Sequence, residues 1–272
     1  MAWHDFWKRN TDDPLMRVLF EKYKLHLLST PTSDSLIGDV YILNGNNILA
    51  RSSVTDFLND PYQLPTVNSS EVPDIAGMLS NSVTIDIGIG FLDSFFRALG
   101  TDNLIQKVST SLKNKGIAYL KFRFLSPTRK HVNVVRIAND LVKNSFGISE
   151  NHPLYSKKNR YYLVTAVLRT SSLAIVTNDS NHKFVNIEIP VKNLLNVSSN
   201  VNVENSSEGQ LTFNGLNTLA FGVEIHELNY DLQKEKFRIN AMDKFVGLRG
   251  LADDIRRPVV IGDPIKGNLF LS

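Results

Sequence analysis

Residues 117–125, Ile-Ala-Tyr-Leu-Lys-Phe-Arg-Phe-Leu, change polarity with a period of two. Ala118, Leu120, Phe122 and Phe124 fall on one side of an extended chain, and Tyr119, Lys121 and Arg123 on the other. A helix cannot keep that partition, so the segment reads as a strand with one covered face and one wet face. Residues 103–113 alternate as well, with Leu104, Val108 and Leu112 opposite Lys107, Ser109, Ser111 and Lys113. Asn114-Lys115-Gly116 joins the two arms, which is a hairpin signature. A second long pair is expected at 161–177, turning through Asn178-Asp179-Ser180-Asn181 into 182–189. There Tyr162, Val164, Ala166 and Leu168 oppose Tyr161, Leu163, Thr165 and Val167, and the faces are less cleanly divided.

Other elements follow from local signals. A helix is predicted over 13–23, capped by Asp12 or Asp13 with Pro14 at its first position. Strands are predicted at 24–30, 38–43 and 83–88, with a turn at Gly45-Asn46 and a loop over 59–74. Short helices are predicted at 91–99, 131–144 and 190–197. A polar hairpin over 201–213 leads to a long strand at 216–228, then a linker or short helix over 235–246. The sum is an α+β fold, a twisted and mostly antiparallel sheet with surrounding helices.

Catalytic patterns are absent. The chain has 272 residues and is 42% hydrophobic, enough for one sizeable core or two small ones. It has no cysteine, which excludes disulfides, thiolate nucleophiles, Cys-zinc sites and S-acylation. His4, His26, His131, His152, His182 and His226 are scattered, with no metal-ligand spacing. Gly88 and Gly90 lack the third glycine of a dinucleotide fingerprint, and neither a phosphate-binding loop nor a nucleophile elbow occurs. Asp12-Asp13 and Asp253-Asp254 are better read as caps or solvated charge. The expectation is a protein that is not an enzyme, with no catalytic residues, no metal and no cofactor. Residues 1–10 show no apolar signal core and no window approaches 18 consecutive apolar residues, so a cytoplasmic location is expected.

The net charge of +3 is unevenly spread. Residues 1–96 are net −6, residues 97–160 net +10, and residues 161–272 net −1. A basic middle suits anionic lipid or nucleic acid, or is simply a solvated surface. One alternative function is therefore an α+β nucleic-acid-binding module using 97–160, with Tyr119, Lys121 and Arg123 as its stacking and phosphate contacts.

The long arms also have the length of membrane-crossing β-strands, about 9–11 residues. Every backbone group must be paired in lipid, so such hairpins enter only as parts of a closed multi-subunit ring. Leu104, Val108, Leu112, Leu120, Phe122, Phe124, Val164, Ala166 and Leu168 would then face lipid. Lys107, Lys113, Lys115, Lys121 and Arg123 would line the pore or meet headgroups. A twisted sheet packed on helices accounts for the same alternation.

A resemblance separates these readings. The run Tyr23-Lys24-Leu25-His26-Leu27-Leu28, then Pro31 and Gly38-Asp39-Val40-Tyr41, resembles the opening of bacterial gasdermins. The run Leu219-Ala220-Phe221-Gly222-Val223-Glu224-Ile225, then Glu227-Leu228 and Tyr230-Asp231, is similar to their closing strand. The likeness covers roughly 15–272. It implies a gasdermin N-terminal-domain-like fold in an autoinhibited soluble state, monomeric when inactive. A partner protease, caspase-like or trypsin-like, removes a C-terminal segment. The released body binds membrane lipids, oligomerises into a large β-barrel pore in the inner membrane, and kills the cell in antiphage defence. No nucleic acid is implied.

On that reading residues 1–248 are the pore-forming domain and 249–272 the autoinhibitory segment. Leu248 and Arg249 are the first choices for the cut and Arg256 and Arg257 the next, within a stretch of weak structure. Val259, Val260, Ile261, Leu269, Phe270 and Leu271 are expected to hold the tail in an apolar groove. Bacterial gasdermins often carry a lipidated N-terminal cysteine, which this sequence lacks. Trp3, Phe6 and Trp7, beside Lys8 and Arg9, are the expected replacement anchor.

Overall fold

The computed structural model describes residues 23–44, 47–58, 62–80, 85, 91–92, 94–95, 97–98, 117–144, 159–185, 201–205, 210–231, 236–239, 260–261 and 270–271. In chain order the strands are β1 (His26–Thr32), β2 (Asp39–Asn44), β3 (Asn47–Ser53), β4 (Asn68–Glu71), β5 (Ile75–Leu79), β6 (Tyr119–Leu125) and β7 (Thr128–His131). They continue with β8 (Asn159–Asn178), β9 (Val201–Asn205), β10 (Leu211–Asp231), β11 (Lys236–Ile239), β12 (Val260–Ile261) and β13 (Phe270–Leu271). All join one sheet, whose main path runs β13-β12-β1-β10-β8-β2-β3.

β8 and β10 are its spine. They pair antiparallel from Leu211↔Ile175 to Leu228↔Tyr161, with three register shifts that absorb twist. Short strands line the outer edges of both. Along β8 lie β2, β7 and β6 in turn, opposite residues 159–163, 166–169 and 172–178. Along β10 lie β9, β1 and β11. Val and Thr occur three times each in β8 and Tyr twice, residues that suit a pleated surface. Its residues 161–170 are buried without a break, because both faces are covered, and this is why its polarity does not alternate cleanly.

Two hydrophobic clusters form. The first joins Leu25, Leu27, Leu120, Phe122, Phe124, Leu168 and Phe221, and the second joins Val40, Phe57, Val167, Ala220, Val223 and Phe237. Val167 and Leu168 are neighbours in different clusters, as are Ala220 and Phe221, so the clusters occupy opposite faces of the sheet there. Helix α1 (Val134–Lys143) covers the second with Ile137 and Leu141; Asn133 caps it by accepting the Arg136 N–H. Gly38 takes φ +88°, and a Cβ there would run into the Leu64 side chain, so the turn into β2 requires glycine.

Several expectations are confirmed and several corrected. The helix at 131–144, the hairpin at 201–213 and the long strand through 216–228 are present, the last extended to 211–231. The described residues of 91–99 are helical, with Phe91, Leu92 and Phe95 buried. The sheet is open, twisted and antiparallel apart from the β1·β12 pairing. The surrounding helices are not borne out: α1 is the one complete α-helix among the described residues, and sheet dominates. At 83–88 the one described residue, Ile85, is helical rather than extended. The 235–246 linker contains β11, which folds back on β10. Segment 117–125 is extended as expected, and β6 has β5 on one edge and β8 on the other; the first arm and turn of the expected hairpin, 103–116, lie outside the described residues. After β8 the chain reverses as foreseen, but through a short turn with one bridge, Asn178 to Phe184.

Candidate functional site

The inward faces of β6 and β8 carry the apolar residues singled out from sequence. Leu120, Phe122 and Phe124 are buried and alternate with exposed Lys121 and Arg123. Phe124 stacks on Phe221 with ring centroids 4.0 Å apart. Val164, Ala166 and Leu168 are buried in β8. In this state all six side chains point into the protein. Of the cations, Arg123 is held by Asp74 at 2.8 Å. Leu104, Lys107, Val108, Leu112, Lys113 and Lys115 lie outside the described residues, as do Trp3, Phe6 and Trp7.

The first strand holds the C-terminal tail. β12 runs parallel to β1, with Leu27 opposite Val260 and Leu28 opposite Ile261. β13 then pairs antiparallel with β12, Val260 opposite Leu271 and Ile261 opposite Phe270. The described tail is thus added as strands to the edge of the sheet. Its attachment is short, and each backbone hydrogen bond contributes about 0.5–1.5 kcal/mol net. Leu248, Arg249, Arg256, Arg257, Val259 and Leu269 lie outside the described residues.

A buried polar group sits beside β1 and was not singled out from sequence. Glu224, 5% exposed, accepts a hydrogen bond from Arg129 Nη2 at 2.7 Å. His226 Nε2 lies 3.0 Å from its other oxygen, and with Glu224 ionised that nitrogen carries the donated proton. Arg129 belongs to β7 and Glu224 to β10, so the contact spans β8. The available signal was Glu224 and His226 two apart in a stretch where Ala220, Phe221, Val223, Ile225 and Leu228 are apolar, so that their shared face demands a partner.

His26 of β1 is 2% exposed. Burial pushes its imidazole down to about 4, with the negative charge of Glu224 pulling it partly back. Between pH 6.5 and 4 the unfolded chain therefore binds more protons than the folded one. Stability present at pH 7 is lost as pH falls through that window, by about 3 kcal/mol. Asp39 works oppositely: burial pushes it up to about 6 against the pull of Arg51, so it costs stability as pH rises from 3.8 towards 6. Comparison with His26→Gln isolates the histidine. In urea titrations the stability advantage of wild type over that variant should shrink between pH 7 and pH 5; a constant difference contradicts the assignment.

Among the described residues no group of His, Asp and Glu is arranged to hold a metal, and no helix is long and apolar enough to cross a membrane. Of the contacts offered for nucleic acid, Tyr119 stacks on His182 at 4.5 Å and Arg123 is tied to Asp74.

A sheet spine flanked by short strands, with two short C-terminal strands added along one edge, defines a β-dominated protein built on a single open sheet. Residues 28–236 match the family model described as the Bacterial Gasdermin Family, and the chain belongs to that family. It is 23% identical over 193 residues to gasdermin bGSDM of Lysobacter enzymogenes, covering 66% of each chain, so it spans just under two thirds of that relative. The solved structure of a bacterial gasdermin from Bradyrhizobium tropiciagri aligns with a TM-score of 0.63 at 16% identity, over 85% of this chain and 92% of that one. The second likeness establishes fold.

Proposed function

We propose that this gasdermin is a membrane pore former, not an enzyme, held inactive by its C-terminal segment. The observation that carries the reading is the pairing of β12 with β1. It supports a tail that works as a removable edge strand rather than one seated in an apolar groove. A protease cut near Leu248 or Arg249 turns the tail from a tethered strand into a separate peptide. The high effective concentration that kept a short pairing closed is then lost. Loss of β12 bares the backbone of Leu27 and Leu28, an open edge able to pair with another chain. The body, residues 1–248, then assembles with copies of itself on lipid. The segments around β6 and β8 leave their cores and close into a β-barrel, in which all backbone groups are paired. Trp3, Phe6 and Trp7 anchor the approach to the bilayer. The protein waits in the cytoplasm, and the inner membrane of an infected cell is the proposed target, with cell death as the antiphage outcome.

The absence of native cysteine makes one test specific. Leu28 and Ile261 are register partners, so Leu28→Cys with Ile261→Cys places a disulfide across β1 and β12. Cut after residue 248 and kept oxidised, this variant should not release dye from anionic liposomes, and adding reductant should restore release. Equal release with and without reductant would count against the tail strand as the restraint.

A further inference from the structure

We propose that Arg169 and Lys130 form a binding site for a single phosphate group beneath the loop that follows β1. Arg169, in β8, is 8% exposed. Its Nη1 donates to the Asp34 carbonyl at 2.8 Å, and its Nη2 donates to the carbonyls of Ser33 at 2.7 Å and Thr218 at 2.9 Å. Five N–H groups belong to a guanidinium, so two remain, and the buried Nε–H has no partner. Among the described residues Arg169 makes no ion pair with a carboxylate. Asp34, whose negative charge acts on Arg169 from a distance, turns its exposed carboxylate towards Arg51 at 3.5 Å. A buried cation satisfied only by neutral carbonyls keeps most of its charge uncompensated, which is costly unless an anion completes it.

Space for one adjoins it. A cavity of about 190 Å³ is lined by the polar Arg169, Lys130, Ser33, Ser35 and Thr218 and by the apolar Leu36, Ile37 and Val167. That is several times the roughly 30 Å³ share of one water. The polar part of the lining combines a planar cation, a flexible ammonium and three hydroxyls, with no carboxylate side chain in the cavity. Arg and Lys together with hydroxyl donors suit a tetrahedral oxyanion. Lys130 is exposed at the mouth, on β7 opposite Val167. The same chemistry is offered by free phosphate and by the phosphomonoester headgroup of a lipid. The cavity closes on residues 33–35, so occupancy would fasten this loop to the sheet two strands from the tail.

The test uses the uncut full-length chain and does not depend on pore formation. Inorganic phosphate is titrated at constant ionic strength, with thermal midpoint as the reading and chloride as the control. Wild type should show a saturable, phosphate-specific rise, and Lys130→Gln, a surface change that leaves the buried arginine in place, should weaken apparent affinity about tenfold. Arg169→Lys should abolish the rise; if that variant fails to fold, Lys130→Gln carries the decision. No phosphate-specific rise, or one that Lys130→Gln leaves unchanged, overturns the site. A second arm measures binding to phosphatidic acid vesicles against phosphatidylcholine vesicles. Binding that phosphate displaces assigns the site to a lipid headgroup; a phosphate effect without such competition assigns it to the free ion.

Discussion

Phe124→Ala should destabilise the folded chain by about 3–5 kcal/mol, the usual cost of truncating a buried aromatic. Phe124 is 0% exposed and belongs to the first core cluster. It stacks on Phe221 at 4.0 Å and meets the edge of Phe91 at 5.9 Å, so its loss opens a cavity between β6, β10 and the helical residues near 91. Both partners are themselves buried in well-packed surroundings and cannot collapse fully into the space. Phe124→Leu should recover most of the loss. Lys121→Ala, three residues away on the exposed face of the same strand, should change stability by less than about 0.5 kcal/mol. Urea midpoints at constant m-value report all three. Similar losses for Phe124→Ala and Lys121→Ala would contradict the inward assignment of this face.

The second large effect is expected at Glu224. Glu224→Ala strips Arg129 of its 2.7 Å partner and leaves His226 without its acceptor at 3.0 Å. Removing one member of a buried, hydrogen-bonded charge pair typically costs about 3–5 kcal/mol, because the remaining charge stays desolvated. Arg129 is 29% exposed and recovers some hydration, so the lower end of that range is expected. Pairing Glu224→Ala with Arg129→Met should cost less than Glu224→Ala alone, since no orphaned cation remains. A double variant no more stable than the single one would show that Glu224 matters through packing rather than through the charge it neutralises.

What the sequence disclosed depended on how local the determining physics was. β6 was legible because one face is buried and one is wet, which writes a period of two into seven residues. Helix α1 was legible from its apolar spacing, while its Asn133 cap emerged only from the structure. β8 was recognised as extended, with a return at 182–189 whose described part makes one bridge to it, but its long pairing partner was not foreseen. Its long neighbour, β10, begins more than thirty residues after β8 ends, and pairing over that separation leaves no local mark. β4 hid inside a Pro-, Asn- and Ser-rich stretch because all four of its residues are exposed. β12 and β13, two residues each, are too short to show any period. The apolar tail residues were visible, but whether they fill a groove or extend an edge depends on backbone pairing, which side-chain pattern does not encode. The Arg129–Glu224–His226 group was missed for the same reason: its members come from β7 and β10 and meet across β8.

The central claim is that the C-terminal strand restrains a body able to perforate membranes. Its most direct measurement uses the full-length chain with a site-specific protease sequence placed at 248–249, mixed with dye-loaded anionic liposomes before and after complete cleavage. The account predicts no release from the intact chain and rapid release once it is cut, with ring-shaped oligomers recoverable from the membrane fraction. Equal release from intact and cut protein, or none from fully cut protein, would contradict it.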